Sequence, residues 1–432
     1  MPPRNADLIA RSLASVWHPC TQMQHHESAP PVPIVRGEGV WLEDAEGRRL
    51  IDGVSSWWVN LFGHGNSEIA EAIADQARGL EHVMLAGFTH PPVVELSERL
   101  SALAPGKLGH AFYASDGASA TEIALKMAFH YFANRGQRAK RRFAYLQGGY
   151  HGETLGSLAV TDVAIFRNTY APLLTLHHPL PFPARERQAH ALAALENLFE
   201  SRGHEIAALV VEPLVQGASG MRMYDPGYLR QARALCDQHE VLLIADEIMT
   251  GFGRTGTFFG CEQAGISPDF LCLSKGITGG FLPLSCVLTT DRVYGAFYDE
   301  RTARGFLHSH SYTGNPIACR AACAVLDIFA RDHVIEANRE KATRFDALAA
   351  PLASHAHVRN ARRLGMIWAF DIAGTRPDFA RAAAALALEH GALLRPIGST
   401  LYFMPPYVID DDEFEGLVKA GLAIAGRLGG AS

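Results

Sequence analysis

The sequence lacks any apolar run long enough to span a bilayer, and it lacks the basic excess typical of nucleic-acid-binding proteins. No apolar stretch among its 432 residues approaches the ~18 residues that a membrane helix needs. Asp and Glu outnumber Lys and Arg by 45 to 39, which gives a formal charge of −6. Proteins that bind nucleic acid more often carry a basic tract. We therefore expect neither a membrane nor a nucleic acid as a partner.

Cysteine is sparse and offers no disulfide framework. The seven cysteines are odd in number and scattered, and no two are spaced as Cys-x-x-Cys. The first residues also lack the apolar segment of a signal peptide. Both observations favour reduced thiols and a cytoplasmic protein. The 20 histidines form no His-Glu-x-x-His motif, so we expect no metal site.

What the chain does contain is typical of a folded α/β protein. Hydrophobic residues make up 48 % of it and charged residues 19 %. Near the N-terminus, residues 34–36, 40–43 and 49–52 have the composition of three short strands separated by glycine turns, which predicts a small β-meander. Residues 67–79 then predict an amphipathic helix that begins at a serine cap and ends at a glycine.

Short apolar runs without polar alternation occupy the middle of the chain. Such runs are typical of strands that are covered on both faces. Helical patterns lie between several of them, for example at 119–135 and 225–239. Alternating strands and helices predict a largely parallel, wound α/β sheet. The runs are 143–146, 208–211, 241–245, 270–273 and 284–288.

The C-terminal part has a different pattern, which predicts a smaller α+β domain. Its helices are expected at 320–332, 335–353, 377–390 and 411–427, and its strands at 364–371, 391–395 and 400–404. We therefore divide the chain into three parts. They are an N-terminal segment and meander (1–65) that packs with the small domain, a large cofactor-binding domain (66–319) and the small domain (320–432).

Two charged residues at predicted strand ends point to chemistry. Lys275 ends the run 270–273 and precedes a glycine-rich turn, and Asp246 ends the run 241–245. Taken singly, each has an ordinary explanation, since a strand-end lysine can reach solvent and a loop carboxylate can cap a helix. Together they end two successive strands, and ligands of wound α/β sheets bind at those ends. A lysine for a Schiff base and an aspartate for a pyridinium nitrogen are what pyridoxal phosphate needs.

Two glycine-containing segments add weaker signals. Gly117 and Ala118 lead into a helix, where free backbone N–H groups can bind a phosphate, although a plain helix cap explains the same residues. Tyr150 lies between glycines after a predicted strand, which would let its ring approach a cofactor closely, although a packed turn is equally simple. Residues 251–256 match Gly-x-Gly-x-x-Gly, but no clear helix follows, so we expect no dinucleotide site.

At this point the sequence resembles a known family. The segment from Asp246 to Gly256 (DEIMTGFGRTG), followed by SKGITGG from Ser274, resembles the class III aminotransferases of pyridoxal-phosphate fold type I. The likeness extends over nearly the whole chain. The resemblance implies an α/β fold in which a large domain holds a mainly parallel sheet between helices, with a smaller α+β domain beside it.

The resemblance also implies roles for individual residues. Lys275 would bind pyridoxal 5'-phosphate covalently, Asp246 would hold its ring nitrogen, and Tyr150 would stack near the ring and contact substrate. The remaining implied roles are phosphate binding by Gly117, Ala118, His310 and Ser311, and substrate binding by Trp57, Ser309 and Arg395. Because Ser309-His310-Ser311 would reach the phosphate of a neighbouring subunit, a homodimer is implied.

Three positions depart from the family pattern. Serine is common where Ala118 stands, so that hydroxyl contact is either lost or supplied by Ser119. Gly-Pro-Thr is common where Ser309-His310-Ser311 stands; Ser311 keeps a hydroxyl, whereas His310 is unusual. A tyrosine often follows Trp-His-Pro, and here that residue is Cys20.

Within the family, the pair Trp57-Trp58 and the late Arg395-Pro are typical of the branch that acts in biotin synthesis. That branch transfers an amino group from S-adenosylmethionine to 8-amino-7-oxononanoate and forms 7,8-diaminononanoate. The alternative is a class III ω-aminotransferase that uses another pair of amine and keto acid, and lysine also stays open as the donor. A non-catalytic α/β binding protein would leave the pair Lys275 and Asp246 unexplained.

Overall fold

A computed structural model of the chain describes residues 4–430. It divides them into two compact units, each described by itself below. The larger unit contains residues 68–340 and 363–367, and the smaller one contains the rest, namely the residues up to 67, 341–362 and those from 368 onward. Of the described residues, no helix is both long and apolar enough to cross a membrane. All seven cysteines are free thiols, and six of them are buried.

Most strands are short, as expected for a wound sheet with covering helices. They are β1 (Ile34–Glu38), β2 (Trp41–Asp44), β3 (Arg49–Asp52), β4 (His110–Ala114), β5 (Arg142–Leu146), β6 (His178–Leu180), β7 (Ile206–Val211), β8 (Val215–Gln216), β9 (Arg222–Met223), β10 (Leu242–Asp246), β11 (Phe270–Leu273), β12 (Ser285–Thr289), β13 (Val358–Leu364), β14 (Ile367–Ile372), β15 (Ala392–Leu393) and β16 (Thr400–Phe403).

The helices range from single turns to 20 residues. They are α1 (Asn5–Ser15), α2 (Ser55–Trp58), α3 (Ser67–Gly79), α4 (Pro91–Leu103), α5 (Gly117–Asn134), α6 (Leu155–Ala159), α7 (Ala164–Arg167), α8 (Gln188–Arg202), α9 (Pro226–Gln238), α10 (Cys261–Ala264), α11 (Asp291–Gly295), α12 (Pro316–Arg331), α13 (Val334–Ala353), α14 (Phe379–Glu389) and α15 (Asp411–Leu428).

The larger unit is built on a seven-stranded sheet of order β4-β12-β11-β10-β7-β5-β6. The five strands from β11 to β6 run parallel, whereas β12 is antiparallel to both of its neighbours. Every residue of β7, β10 and β11 is buried, which explains their continuous apolar sequences. The α/β prediction with a mainly parallel sheet is therefore confirmed.

Helix α5 covers one part of this sheet. Its packing against the strands places its N-terminus near the strand ends. Ile123, Ala124 and Tyr131 of α5 pack in one buried cluster with residues such as Val210 of β7 and Ile244 of β10. Burying a large apolar side chain stabilises a fold by about 1.5–3 kcal/mol. This packing therefore holds the start of α5 in a defined position relative to the sheet.

The smaller unit contains the predicted meander. Strands β1, β2 and β3 pair antiparallel, and β15 adds to β3 in parallel. A second sheet has the order β13-β14-β16. The prediction of one strand at 364–371 was wrong, because Gly365 adopts φ +55° in a turn that separates β13 from β14. A left-handed glycine turn breaks a run that otherwise has strand composition.

The boundaries of the compact units lie at other positions than the predicted domain boundaries. The sequence pattern placed boundaries after residues 65 and 319, whereas the main segment of the larger unit runs from residue 68 to residue 340, and residues 363–367 also belong to that unit. Helix α12 is part of it and packs against α4. The N-terminal residues and the C-terminal residues together form the smaller unit.

Candidate active site

Three neighbouring strands of the large sheet end in charged side chains. Asp246 is the last residue of β10, Glu212 directly follows β7, and Lys275 comes two residues after β11. Strand β10 pairs in parallel with both β7 and β11. The carboxyl ends of parallel strands meet at one edge of a sheet, which is where wound α/β proteins bind ligands. The structure thus places the two sequence-predicted residues, Asp246 and Lys275, at adjacent strand ends.

Lys275 is held in an environment that favours its neutral amine. Its side chain is half-buried, and its backbone has φ +46°, a left-handed conformation that side chains rarely adopt. Burial lowers the pKa of Lys275, and the nearby carboxylates of Asp246 and Glu212 only partly oppose this effect. A lysine with a lowered pKa is a better nucleophile and proton carrier near neutral pH. Strained backbone of this kind often marks a functional site.

Asp246 is buried and hydrogen-bonded on both oxygens. The imidazole Nδ1 of His151 lies 2.7 Å from Oδ2, and the backbone N–H of Ile248 donates to Oδ1 over 3.1 Å. Burial opposes a charge on His151, but the hydrogen bond and charge of Asp246 outweigh it and raise the pKa of His151. His151 therefore contacts the carboxyl group of Asp246 from one side.

Glu212 ties the loop of Tyr150 to the same strand ends. Its carboxylate accepts hydrogen bonds from the backbone N–H of Tyr150 and of Gly217, both over 3.0 Å. Burial raises the pKa of Glu212 to about 7, and the nearby Asp246 adds to this shift. The hydroxyl of Tyr150 donates to Glu153 over 2.9 Å. The backbone of Tyr150 is thus fixed directly by the cluster of strand-end charges.

The loop of Tyr150 also lies tightly against the start of α5. Gly152 has φ +122°, and a Cβ added there would come within 2.5 Å of the Cβ of Ala118. Glu122 strengthens this contact, because its carboxylate accepts hydrogen bonds from Thr154 and from the backbone N–H of Gly156. Glycine at 152 is therefore required by both its conformation and the close approach.

Gly117 and Ala118 form the first turn of α5, which begins two residues before the helix predicted at 119–135. The preceding residue, Asp116, caps the helix by accepting hydrogen bonds from the N–H and the hydroxyl of Ser119 over 2.9 and 2.7 Å. A Cβ on Gly117 would lie 3.0 Å from Ile248, which follows Asp246 by two residues. The helix N-terminus, with its partial positive charge, therefore lies beside the loop that follows β10.

Ser309, His310 and Ser311 lie on a loop of the larger unit whose contacts involve α5. The two serines are exposed, and His310 is half-buried. The imidazole of His310 contacts that of His308, which in turn contacts Lys126 of α5. The backbone N–H of His310 donates to Thr313 over 3.0 Å, which defines the turn of the loop.

Trp57 and Arg395 contact each other in the smaller unit. The guanidinium carbon of Arg395 lies 4.2 Å from the centre of the Trp57 ring, a cation–π arrangement. Trp57 belongs to α2, where four successive residues, Ser55 to Trp58, have φ between +44° and +73°. This left-handed turn is unusual for residues other than glycine. It therefore identifies a constrained segment at the residue that the sequence assigned to substrate binding.

Side chains of the smaller unit hold this left-handed turn in place. Asp52 accepts a hydrogen bond from the hydroxyl of Ser56 over 2.7 Å. The hydroxyl of Ser55 donates to the carbonyl of Met404 over 2.8 Å, and the indole N–H of Trp58 donates to Tyr402 over 2.9 Å. Such surrounding bonds are what allow a strained backbone to persist.

The comparison with protein families agrees with this geometry. The family model for class III aminotransferases matches residues 22–421. The chain belongs to the class III aminotransferases. The lysine and the aspartate at adjacent strand ends, with the start of α5 nearby, therefore belong to an aminotransferase.

Individual class III aminotransferases are similar to it over their full length. The adenosylmethionine-8-amino-7-oxononanoate aminotransferase of Helicobacter pylori is 45 % identical, covering 96 % of this chain and 97 % of its own. The crystal structure of the enzyme with that name from Methanocaldococcus jannaschii is 34 % identical with a TM-score of 0.94, covering 98 % and 99 % of the two chains. A Pseudomonas amine transaminase, solved with bound pyridoxal phosphate, is 32 % identical with a TM-score of 0.89, covering 96 % and 99 %.

Sequence reasoning missed two residues of this aminotransferase site. His151 was noticed only as part of the segment around Tyr150, and Glu212 only as part of the family resemblance. Glu212 carries the same signal as Asp246, namely a charge directly after an apolar strand, and could have been found by it. The pairing of His151 with Asp246 joins residues 95 positions apart, so only the fold reveals it.

Proposed function

We propose that this aminotransferase uses pyridoxal 5'-phosphate to transfer the amino group of S-adenosylmethionine to 8-amino-7-oxononanoate, which forms 7,8-diaminononanoate for biotin synthesis. The observation that supports the chemistry is the set of adjacent strand-end charges at Lys275 and Asp246. The substrates are supported by the 45 % identity, over nearly full length, to a relative named for them.

The residues at the strand ends fit this cofactor. A half-buried lysine with a lowered pKa suits covalent binding of an aldehyde, and the buried carboxylate of Asp246 suits a protonated ring nitrogen. The Nε2 atom of His151 is buried without a hydrogen-bond partner among the described residues. The N-terminus of α5 at Gly117 and Ala118 offers backbone N–H groups for a phosphate.

When bound, pyridoxal phosphate supplies a conjugated ring that accepts electron density from the bond broken at the substrate carbon. The chain's own residues supply the proton transfers. Once the substrate amine has displaced it from the cofactor, the Nζ atom of Lys275, with its lowered pKa, would take a proton from the substrate carbon and deliver it to C4′ of the cofactor. A positioned base of this kind contributes about 10²–10⁴-fold to a rate.

Asp246 and His151 act on the ring nitrogen. The Oδ atoms of Asp246 would accept the hydrogen bond from that nitrogen and keep it protonated. His151 holds Asp246 in position through the 2.7 Å contact between its Nδ1 atom and Oδ2 of the carboxyl group. A preorganised charge in a site shielded from water stabilises developing charge without reorganisation.

Tyr150, Trp57, Ser309 and Arg395 are the residues we assign to substrate binding. Tyr150 presents an aromatic ring beside the strand ends, with its hydroxyl held by Glu153. Arg395 has a planar guanidinium that suits a substrate carboxylate, and Trp57 supports that group from one face.

A homodimer completes the proposal, with Ser309 contacting the substrate, and His310 and Ser311 the cofactor phosphate, of the second copy. The surroundings of this loop support it. Leu307 is 78 % exposed and Tyr312 65 % exposed on the loop itself. Met84 and Phe88 are also exposed. Their segment contacts the end of this loop through a hydrogen bond that the side chain of Asn315 donates to the carbonyl of Glu81. Exposed apolar side chains on neighbouring segments favour coverage by another protein surface.

We also propose a cytoplasmic location, since six buried thiols suit a reducing compartment. The second candidate function, an ω-aminotransferase acting on another amine, is favoured by the similarity to the Pseudomonas amine transaminase.

The test is a panel of amine donors followed by a ketone acceptor. The purified holoenzyme is mixed with S-adenosylmethionine, lysine or 1-phenylethylamine, and the loss of the cofactor's aldehyde absorbance is recorded. After removal of donor, 8-amino-7-oxononanoate is added and 7,8-diaminononanoate is measured by mass spectrometry. We expect S-adenosylmethionine to react fastest and the ketone to restore the absorbance. A preference for 1-phenylethylamine, with no diamine product, would support the ω-aminotransferase instead.

A further inference from the structure

Three nitrogen-bearing side chains beside the loop 308–311 form a continuous hydrogen-bonded chain. The ammonium of Lys126 lies 2.8 Å from Nδ1 of His308, and Nε2 of His308 lies 3.2 Å from Nε2 of His310. Phe306 stacks on the His308 ring with centres 5.6 Å apart, so that ring has a fixed orientation. We call this chain the Lys126–His308–His310 relay.

The chemistry of these groups permits one arrangement of protons. A lysine ammonium only donates, so Nδ1 of His308 must be an unprotonated acceptor. Neutral His308 then carries its proton on Nε2 and donates it to His310. Nε2 of His310 must therefore be unprotonated, which leaves the proton of neutral His310 on Nδ1.

A doubly protonated His310 does not fit this arrangement, because it would set one N–H against another at the 3.2 Å contact. The surroundings of His308 also favour its neutral form. Burial lowers the pKa of His308, and Lys126 and His310 lower it further, while Glu122 opposes the shift. The positive charge of Lys126 then polarises both imidazoles in sequence, which strengthens the last donor.

The Nδ1–H of His310 has no acceptor among residues 4–430. It lies on a residue flanked by the exposed hydroxyls of Ser309 and Ser311. A polarised N–H between two hydroxyls, with a lysine charge behind it, has the chemistry that binds a phosphate monoester.

We propose that Lys126 and His308 are positioning residues that fix His310 as an Nδ1–H donor to the phosphate of pyridoxal phosphate. This inference rests on the proposed function, because it takes the cofactor and the phosphate contact of loop 309–311 from it. Its new content is that a helix lysine and a second histidine, neither touching the phosphate, determine the strength of that contact.

The test compares cofactor binding by apoenzyme variants. Binding is measured by fluorescence titration with pyridoxal phosphate and with pyridoxal, which lacks the phosphate. Lys126→Met should weaken pyridoxal phosphate binding about tenfold, since a charge-assisted donor becomes an ordinary one. Pyridoxal binding should stay unchanged. Lys107→Met, at an exposed lysine in a loop, is the matched control and should change neither.

A second variant makes the test specific for the relay. The side-chain amide nitrogen of asparagine overlaps the position of Nδ1, so His310→Asn keeps a donor but disconnects it from Lys126. In the His310→Asn background, Lys126→Met should therefore have no further effect on pyridoxal phosphate binding. In the parent, ¹⁵N NMR of labelled histidine should show the proton of His310 on Nδ1.

Three results would overturn the inference. Lys126→Met could weaken the binding of pyridoxal and of pyridoxal phosphate equally, or it could weaken pyridoxal phosphate binding as much in the His310→Asn background as in the parent. The third result is a proton on Nε2 of His310. If any of these results is observed and the parent protein still forms a dimeric holoenzyme, the relay is contradicted and the proposed function is not. A parent that does not bind pyridoxal phosphate contradicts both the relay and the proposed function. Sedimentation of each variant shows whether the dimer is retained, so a loss of assembly is not mistaken for a loss of phosphate binding.

Discussion

In the proposed reaction Asp246 acts through its carboxyl group, which two hydrogen-bond donors hold in place. Both of its oxygens already accept a hydrogen bond, one from His151 and one from the backbone of Ile248. Of these two partners, the backbone N–H has no acceptor atom, and a neutral imidazole has no negative charge to balance a protonated ring nitrogen. At the scale of single residues, we therefore expect the reaction to depend on a carboxylate at this position rather than on any polar group.

We expect Asp246→Asn to fold and to lose most of its activity. An amide keeps the shape but cannot stabilise a protonated ring nitrogen, and the loss should be about 2–4 kcal/mol in transition-state free energy, or roughly 30- to 1000-fold in kcat/KM. Steady-state kinetics with S-adenosylmethionine measure it, with circular dichroism to check the fold. A variant within about threefold of the parent would show that another acid holds the nitrogen.

Arg395 gives a second residue-scale prediction. If it binds a substrate carboxylate, Arg395→Met should lower kcat/KM for carboxylated donors by about 30- to several-thousand-fold, because breaking such a pair costs about 2–5 kcal/mol. Arg395→Lys should restore only part of this, since lysine lacks the planar two-pronged geometry. The first half-reaction with 1-phenylethylamine, which has no carboxylate, is the control. Equal losses with both donors would indicate a structural role.

Single residues were predictable from the sequence where a local signal marked them. Lys275 and Asp246 each interrupt an apolar strand with a charge, which is visible without a structure. His151 was not predictable, because its role arises from a contact with Asp246 across 95 positions. The cation–π contact of Trp57 with Arg395, 338 positions apart by the difference of their numbers, is likewise a product of the fold.

At the scale of elements, the contact between the Tyr150 loop and helix α5 links two parts of the proposed cofactor site. The loop contributes Tyr150, and the helix contributes Gly117 and Ala118. Their separation is fixed at Gly152, where no room exists for a side chain. The geometry of the site therefore depends on a glycine that makes no direct contact with a reacting atom.

We expect Gly152→Ala to weaken cofactor binding by at least about tenfold, because the new Cβ would displace the loop from Ala118. Gly136→Ala is the matched control, since Gly136 also has positive φ, at +79°, but has open space around it. That control should cost only about 1–2 kcal/mol of stability and leave pyridoxal phosphate affinity unchanged. Equal affinities for the two variants would show that the close contact at 152 does not matter.

The elements themselves were largely predictable where their pattern is regular. Helix α3 was placed at its observed bounds, and β11 likewise, since both have strong periodic or apolar sequences. The strand predicted at 364–371 failed because a glycine turn at Gly365 left no break in composition. The left-handed turn at Ser55 to Trp58 was also beyond prediction, because its sequence contains no glycine.

At the scale of the whole molecule, the larger unit carries several buried ionisable groups that make folding depend on pH. Glu212 is the clearest, because burial raises its pKa to about 7 in the folded protein against 4.5 as a free side chain. A folded pKa above the unfolded one stabilises the fold at low pH. That stabilisation is present in full below pH 4.5 and is lost as the pH rises to about 7.

We therefore expect the apoenzyme to lose about 1–3 kcal/mol of unfolding free energy through Glu212 between about pH 5 and pH 7.5. Glu212→Gln cannot titrate and should show a correspondingly flatter profile. Urea unfolding of both proteins across this range measures the difference. Parallel profiles would mean that Glu212 is ionised throughout.

The central claim is that Lys275 binds pyridoxal phosphate covalently at the ends of β10 and β11. The most direct measurement is borohydride reduction of the holoenzyme, digestion and mass spectrometry of the modified peptide. We expect the added pyridoxyl phosphate on Lys275, and Lys275→Ala should bind cofactor without any reducible attachment and without turnover. Attachment at a different lysine, or a Lys275→Ala protein that still turns over, would contradict the claim.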